Sequence, residues 1–342
     1  MKNLTWLSVV ITAVAIGFSA NTLADKNKQP DHGVAIAIHG GAGTILKSNM
    51  TEDQEKAYRE KLREAVMHGY NLLKQGVSGE QAVVETIQIL ETSPLFNAGI
   101  GAVYTFDGEH ELDASIMHGK TKNAGAVAGV KTIRSPIEAA RLVMNESAHV
   151  MLAGEGAQAF AKSHGLEPVD NRLFDTEARK KALEKAKARM ALSSTGYGLQ
   201  QGNERFGTVG AVVLDAEGNI VAGTSTGGMT AKRYGRIGDS PVIGAGTYAD
   251  NSSCGVSATG HGEYFIRYNV AADICARMKY QGVSLAEAAD SVINQVLVEA
   301  GGDGGVIAID AEGNIAMPFN TSGMYRASVD TDGKLSVAIY AE

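Results

Sequence analysis

Gly207-Thr208-Val209-Gly210-Ala211-Val212-Val213-Leu214 is a strand-like run opened by a threonine that directly follows a glycine. The stretch ahead of it is polar, so the chain is open to being cut at this threonine. A threonine at a chain terminus carries a hydroxyl and a free α-amine on one residue, a nucleophile together with its own base. Thr208 Oγ reaches the carbonyl of Gly207 through a five-membered ring, which turns the peptide into an ester. Water then hydrolyses the ester and frees an amine whose reference pKa, about 7.7 to 8.0, leaves a useful neutral fraction at ordinary pH. Glycine at 207 helps, because it tolerates backbone conformations closed to other residues. Cleavage between Gly207 and Thr208 therefore predicts an amidohydrolase that makes its own active site.

Upstream, the first 24 residues read as a secretory signal: Lys2, an apolar run from Leu4 to Phe18, and Thr22-Leu23-Ala24 as a small-residue cleavage site. The run is too short to span a bilayer. Cleavage after Ala24 leaves 318 of the 342 residues, enough for one large core, and predicts an exported, periplasmic or secreted protein that is free of the membrane. Loss of Lys2 takes the formal charge from −7 to −8, which disfavours a nucleic-acid partner. The single tryptophan, Trp6, lies within the signal. Cys254 and Cys275 fall on separate predicted elements and read as free, buried thiols, although an oxidising compartment permits them to pair.

Between these landmarks the apolar spacing predicts a strand over 34–38, helices over 52–74 and 79–92, a hairpin of 102–106 with 111–117, and a strand over 124–131. Helices follow over 136–145 and 155–162. From about 167 to 207 the composition suggests an exposed, mobile tether containing a charge-rich helix over 177–190. Beyond Thr208 the β signal dominates. The hexapeptide Asp-Ala-Glu-Gly-Asn-Ile occurs at 215–220 and again at 310–315, and with Asp330-Thr331-Asp332-Gly333 it supplies hairpin turn chemistry. Helical patterns over 263–279 and 285–300 lie between the hairpins. The order implies an α+β fold, with two mostly antiparallel sheets covered by helices on their outer faces.

Rival motifs fail on context. Gly41-Ala42-Gly43-Thr44-Ile45-Leu46 ends in Leu where a dinucleotide fingerprint needs Gly or Ala, and no Walker A pattern, HExxH or CxxC occurs. Gly223-Thr224-Ser225-Thr226-Gly227 is a literal GxSxG, but a nucleophile elbow requires a helix directly after Ser225, and a glycine-rich loop follows instead.

The chain resembles the isoaspartyl peptidase/L-asparaginase family of N-terminal nucleophile hydrolases. The likeness rests on His39-Gly40-Gly41-Ala42-Gly43, Pro94-Leu95-Phe96-Asn97-Ala98-Gly99-Ile100-Gly101, the Thr208 segment, Thr224-Ser225-Thr226-Gly227-Gly228, Gly235-Arg236-Ile237-Gly238-Asp239-Ser240-Pro241, Gly244-Ala245-Gly246 and Thr259-Gly260-His261-Gly262-Glu263. The resemblance implies an αββα four-layer sandwich and a threonine nucleophile, Thr208, supported by Thr226. Thr259 and Gly260 donate to the oxyanion, and Asn97 lies near the nucleophile. Arg236, Asp239 and Gly262 hold the α-carboxylate and α-ammonium of an aspartyl unit, and main-chain oxygens of Leu90, Glu91, Ser93, Phe96, Ala98 and Ile100 hold a structural sodium ion. It implies no catalytic cofactor, hydrolysis of β-aspartyl dipeptides and L-asparagine, and a dimer of cleaved pairs, 25–207 with 208–342. Bacterial members often carry Asp where Gly207 stands. The related glycosylasparaginases place a His-Asp pair before the nucleophile, and Phe206-Gly207 does not match. An uncleaved, exported binding protein with the same fold is the alternative from another class.

Overall fold

The computed structural model describes Met1 and residues 33–192 and 207–341. The expected signal and the end of the expected tether lie outside the described residues. In chain order the elements are β1 (Ala35–Gly43), α1 (Glu52–Lys74), α2 (Gly79–Glu91), β2 (Leu112–His118), β3 (Ala124–Val130), α3 (Pro136–Glu146), β4 (Met151–Ala153), α4 (Gly154–Ser163) and α5 (Glu177–Leu192). After Thr208 come β5 (Val209–Leu214), β6 (Ile220–Thr226), β7 (Thr247–Ala249), β8 (Cys254–Gly260), α6 (Gly262–Tyr268), α7 (Val270–Gln281), α8 (Leu285–Asp290), α9 (Leu297–Ala300), β9 (Gly304–Asp310), β10 (Ile315–Ala316), β11 (Gly323–Val329) and β12 (Leu335–Tyr340). A π-helical turn, Ser291–Val296, makes α8 and α9 continuous.

Eight strands form one sheet in the order β12-β11-β1-β5-β6-β2-β3-β4, and four form a second, β10-β9-β8-β7. Every pairing is antiparallel except that of β3 with the short edge strand β4. The central strands show how the sequence dictates layering. Along β1, Ile36 and Ile38 face α1 and α2, while Ala35 and Ala37 face the second sheet. Along β5, Val209, Ala211 and Val213 take the helix side and Val212 and Leu214 the inter-sheet side. Both faces are buried, so these strands read as continuous apolar runs with no alternation. On the far side, α7, α8 and the π-helical turn cover β8 and β9 through Val270, Ile274, Leu285 and Val292. The result is the four-layer α+β sandwich expected from the sequence.

Helix α1 illustrates the local determinants. Thr51 and Gln54 form a reciprocal capping box, Glu52, Asp53 and Glu55 occupy the first turn, and Leu62, Val66, Gly69 and Leu73 make the buried stripe.

Three expectations are corrected. Ala102–Phe106 is not a strand of a hairpin: it makes one isolated bridge, Thr105 with Lys232, and β2 pairs with β3 and β6 instead. The segment from about 167 is not wholly an exposed tether. Phe174 is fully buried, and α5 seats Leu183 and Ala186 against Tyr104 and Ala231 while Arg179 Nε donates to Gly101 O at 2.7 Å. Finally, Cys254 and Cys275 form a disulfide. Helix α7 packs directly on β8 and brings their Cα atoms to 5.3 Å, within bonding reach, a proximity that 21 residues of separation does not disclose.

Candidate active site

Strand β5 begins at Val209, so Thr208 sits just before its first ladder residue, in the lining of a cavity open to solvent. Antiparallel pairing of β5 with β6 places Thr208 beside the end of β6, where Thr208 Oγ donates to Thr226 Oγ at 3.0 Å. Thr226 Oγ also accepts from Gly228 N at 3.0 Å, which fixes its rotamer. Both threonines are buried and both line the cavity.

Gly207 lies against Asn97. A Cβ at 207 would stand 2.8 Å from Asn97 Cβ, so a larger residue there displaces Asn97. Both ends of the Asn97 amide are committed, Nδ2 donating to Gly228 O at 2.7 Å and Oδ1 accepting from Val103 N at 2.9 Å. Asn97 therefore ties the segment at Val103 to the loop at Gly228, beside Gly207.

Arg236, Asp239 and Gly260 line the same cavity as Thr208. Asp239 is buried, and its Oδ2 has no partner among the described residues. Burial pushes its carboxyl up to about 7, against the pull of the Arg236 guanidinium. Arg236 forms two 2.9 Å hydrogen bonds to the carboxylate of Glu263. Gly262, at the start of α6, abuts both clamp residues, since a Cβ there would lie 2.8 Å from Asp239 Oδ1 and 2.9 Å from Arg236 Nη2. Thr259, at the end of β8, accepts from Ala42 N at 3.3 Å, which leaves its own hydroxyl hydrogen to give elsewhere.

Ser225, the residue of the literal GxSxG, is fully buried inside β6 and donates to Glu91 Oε1 at 2.7 Å. It is a strand residue and faces away from the cavity. The Glu91 carboxyl also accepts from Ser135 Oγ at 2.6 Å and Ile137 N at 3.0 Å, and burial raises it to about 7 in spite of these donors. With its carboxyl so engaged, Glu91 has only its main-chain oxygen to offer a cation. Gly99, at φ 50°, lets the chain fold back until a side chain there would collide with that oxygen. Gly101 likewise brings the chain close to the main-chain oxygens of Phe96 and Pro94, and among the described residues no group of three or more His, Cys, Asp or Glu is placed to hold a metal ion.

The profile of the family described as asparaginase (Asparaginase_2) matches residues 32–339, nearly all of the chain. The chain belongs to this family. It is 52% identical over 309 residues to an isoaspartyl peptidase of Salmonella typhimurium, covering 90% of this chain and 98% of that protein. It is equally similar, 52% over 309 residues, to the isoaspartyl peptidase of Escherichia coli K12, covering 90% and 96%. An isoaspartyl peptidase/L-asparaginase of Xenopus laevis is 42% identical over 306 residues, covering 89% and 94%.

The asparaginase-family motifs converge in space as they do in sequence: Gly207, Thr208, Thr226, Arg236, Asp239 and Gly260 share one cavity, with Thr259, Gly262 and Asn97 directly behind its wall. Sequence reading missed three participants. Glu263 lies within the 259–263 motif, and nothing in its spacing tells that it holds Arg236. The Glu91 side chain, which joins α2, α3 and β6, was noticed for its carbonyl alone. His39, a histidine inside an otherwise apolar strand, carried a signal of its own, because a polar residue between two buried faces requires partners.

Proposed function

We propose that the chain cuts itself between Gly207 and Thr208 and then hydrolyses the β-amide bond of isoaspartyl dipeptides and L-asparagine. The observation that carries this reading is that Thr208, its Oγ hydrogen-bonded to Thr226, lines the same cavity as Arg236 and Asp239, whose Oδ2 has no partner among the described residues. A zwitterionic aspartyl head group needs such a paired opposite charge. Arg236 would take its α-carboxylate, Asp239 its α-ammonium, and the side-chain carbonyl would then face the hydroxyl.

In turnover the α-amine of Thr208 accepts the proton of Oγ as Oγ attacks the β-carbonyl. The oxygen that becomes negative takes hydrogen bonds from Thr259 Oγ and Gly260 N, each donor worth on the order of 3 kcal/mol to the transition state. Collapse expels the amine of the dipeptide, or ammonia from asparagine, carrying the transferred proton. Water then attacks the aspartyl ester of Thr208, releases aspartate and restores the hydroxyl. The carbonyls of Leu90, Glu91, Ser93, Phe96, Ala98 and Ile100 would hold a sodium ion that neutralises their dipoles and stiffens the loop bearing Asn97. Thermal unfolding in matched sodium and choline buffers should give the higher Tm in sodium, rising with its concentration by mass action. Equal Tm values would refute the ion.

The polypeptide is exported after loss of residues 1–24 and works as a dimer of cleaved pairs. Terminal sequencing and native mass of the secreted protein test these points together. Two chains are expected, beginning at Asp25 and Thr208, in a particle of twice the pair's mass. Full activity in an uncut polypeptide would overturn the assignment of Thr208.

A further inference from the structure

Two features outside the motif roles converge on Thr208: a fully buried histidine in β1 and a file of buried hydroxyls between the sheets. His39 Nδ1 lies 3.0 Å from the main-chain oxygen of Thr208. Because a carbonyl can only accept, Nδ1 carries the hydrogen. Burial depresses the His39 imidazole to about 3, so the ring is neutral and Nε2 is a bare acceptor. Ser257 Oγ, 3.0 Å from Nε2, must then donate to it. With its hydrogen so used, Ser257 accepts from Thr224 Oγ at 2.6 Å, and Thr224 in turn accepts from Thr247 Oγ at 2.6 Å. Ser115 Oγ, 2.6 Å from the main-chain oxygen of Ser240 and 2.8 Å from Thr247 Oγ, closes the file, its single hydrogen facing both acceptors. Thr224 Oγ also reaches the main-chain oxygen of Gly246 at 3.1 Å, so its one hydrogen serves two acceptors, and the file ends beside Ser240, the residue that follows Asp239.

We propose that His39 is the positioning residue of the nucleophile, its Nδ1–H gripping the Thr208 carbonyl while the Ser257–Thr224–Thr247 hydroxyls lock the ring in the tautomer that can do so. The inference rests on the reading of Thr208 as nucleophile. Self-cleavage removes the covalent tether ahead of Thr208, and free chain ends fray unless tied down. The strand ladder begins only at Val209, so the anchor on Thr208 itself is a side chain. Gly210, paired with His39 in the ladder, leaves the space: a Cβ there would meet His39 Nε2 at 2.5 Å and collide with Ser257 Oγ. Misplacing a nucleophile by about 1 Å costs on the order of 10²-fold in rate.

The test uses His39→Gln, His39→Asn and Ser257→Ala in the full-length protein, purified after processing. Asparagine presents an N–H near the place of Nδ1, and glutamine presents its amide near Nε2. Measured per mole of cleaved chain, kcat should fall about 10- to 100-fold in His39→Gln and return to within about threefold in His39→Asn. The KM for a β-aspartyl dipeptide should hold within about twofold in both, because Arg236 and Asp239 are untouched. Ser257→Ala frees the ring and should lower kcat several-fold at the parental Tm. A glutamine variant with parental kcat, or an asparagine variant no better than glutamine, would overturn the inference. Should the glutamine variant not fold, the other two decide: Asn must keep kcat and Ala must lose it. A parent protein that stays uncut and inactive would instead condemn the reading of Thr208.

Discussion

Replacing Thr208 by alanine should leave a single uncut chain with no measurable turnover of β-aspartyl substrates. The variant removes the atom on which two reactions depend. In maturation Oγ must reach the Gly207 carbonyl, and in turnover it must reach the substrate's. Loss of a covalent nucleophile costs on the order of 10⁴-fold or more, and no side chain replaces it here, because Thr226, at the end of β6, carries no α-amine of its own to act as base. The fold should survive, since the change deletes one hydroxyl and one methyl at the edge of a cavity and leaves β5 intact. Thr208→Ser keeps the hydroxyl and should still mature, more slowly, because the serine side chain lacks the methyl that restricts χ1. A denaturing gel and a kinetic assay read both outcomes. Maturation in the alanine variant, or its absence in a folded serine variant, would contradict the mechanism.

Much of this site is legible in the sequence. The run 207–214 reads as a buried strand because β5 is covered on both faces. The hairpin turns at 215–220 and 310–315 are dictated by chemistry that acts over a few residues: Asp215 and Asp310 each receive backbone hydrogen bonds from positions two and four further on. What escaped depends on distance in three dimensions. The 102–106 segment alternates like a strand, but Asn97 fixes Val103 N, and the segment after Gly227 supplies its neighbour, so it becomes a brace beside the site. The Cys254–Cys275 bond and the path from His39 to Ser115 join residues that local periodicity has no means of relating. Helix α5 was misjudged because its charges mask a two-residue apolar anchor, Leu183 and Ala186.

Asp239→Asn should lower kcat/KM for β-aspartyl dipeptides by on the order of 10²- to 10³-fold, with most of the loss in KM. Removing one partner of a buried, hydrogen-bonded charge pair costs about 2–5 kcal/mol, and the unpartnered Oδ2 of Asp239 is the acceptor that the substrate ammonium would complete. The pH dependence gives the sharper signature. Burial holds the Asp239 carboxyl near 7, with Arg236 lowering it and Glu263 and Asp113 raising it. As pH falls below about 7, the free protein protonates Asp239, the clamp loses its charge and kcat/KM declines. The α-amine of Thr208 adds a second requirement for deprotonation, from a reference value of about 7.7 to 8.0. In kcat, which reports the substrate complex, the amine limb should remain and the Asp239 limb should vanish, because a bound ammonium keeps the carboxylate charged. In Asp239→Asn the kcat/KM profile should keep one limb only. Stability should move the other way. A carboxyl whose folded pKa lies above its unfolded value destabilises the fold fully above the folded pKa and not at all below the unfolded one. The amide removes that cost, so at pH 8 the variant's Tm should equal or exceed the parent's. An unchanged acid limb in kcat/KM, or a variant of lower Tm at pH 8, would show that Asp239 does not await a cation in this cavity.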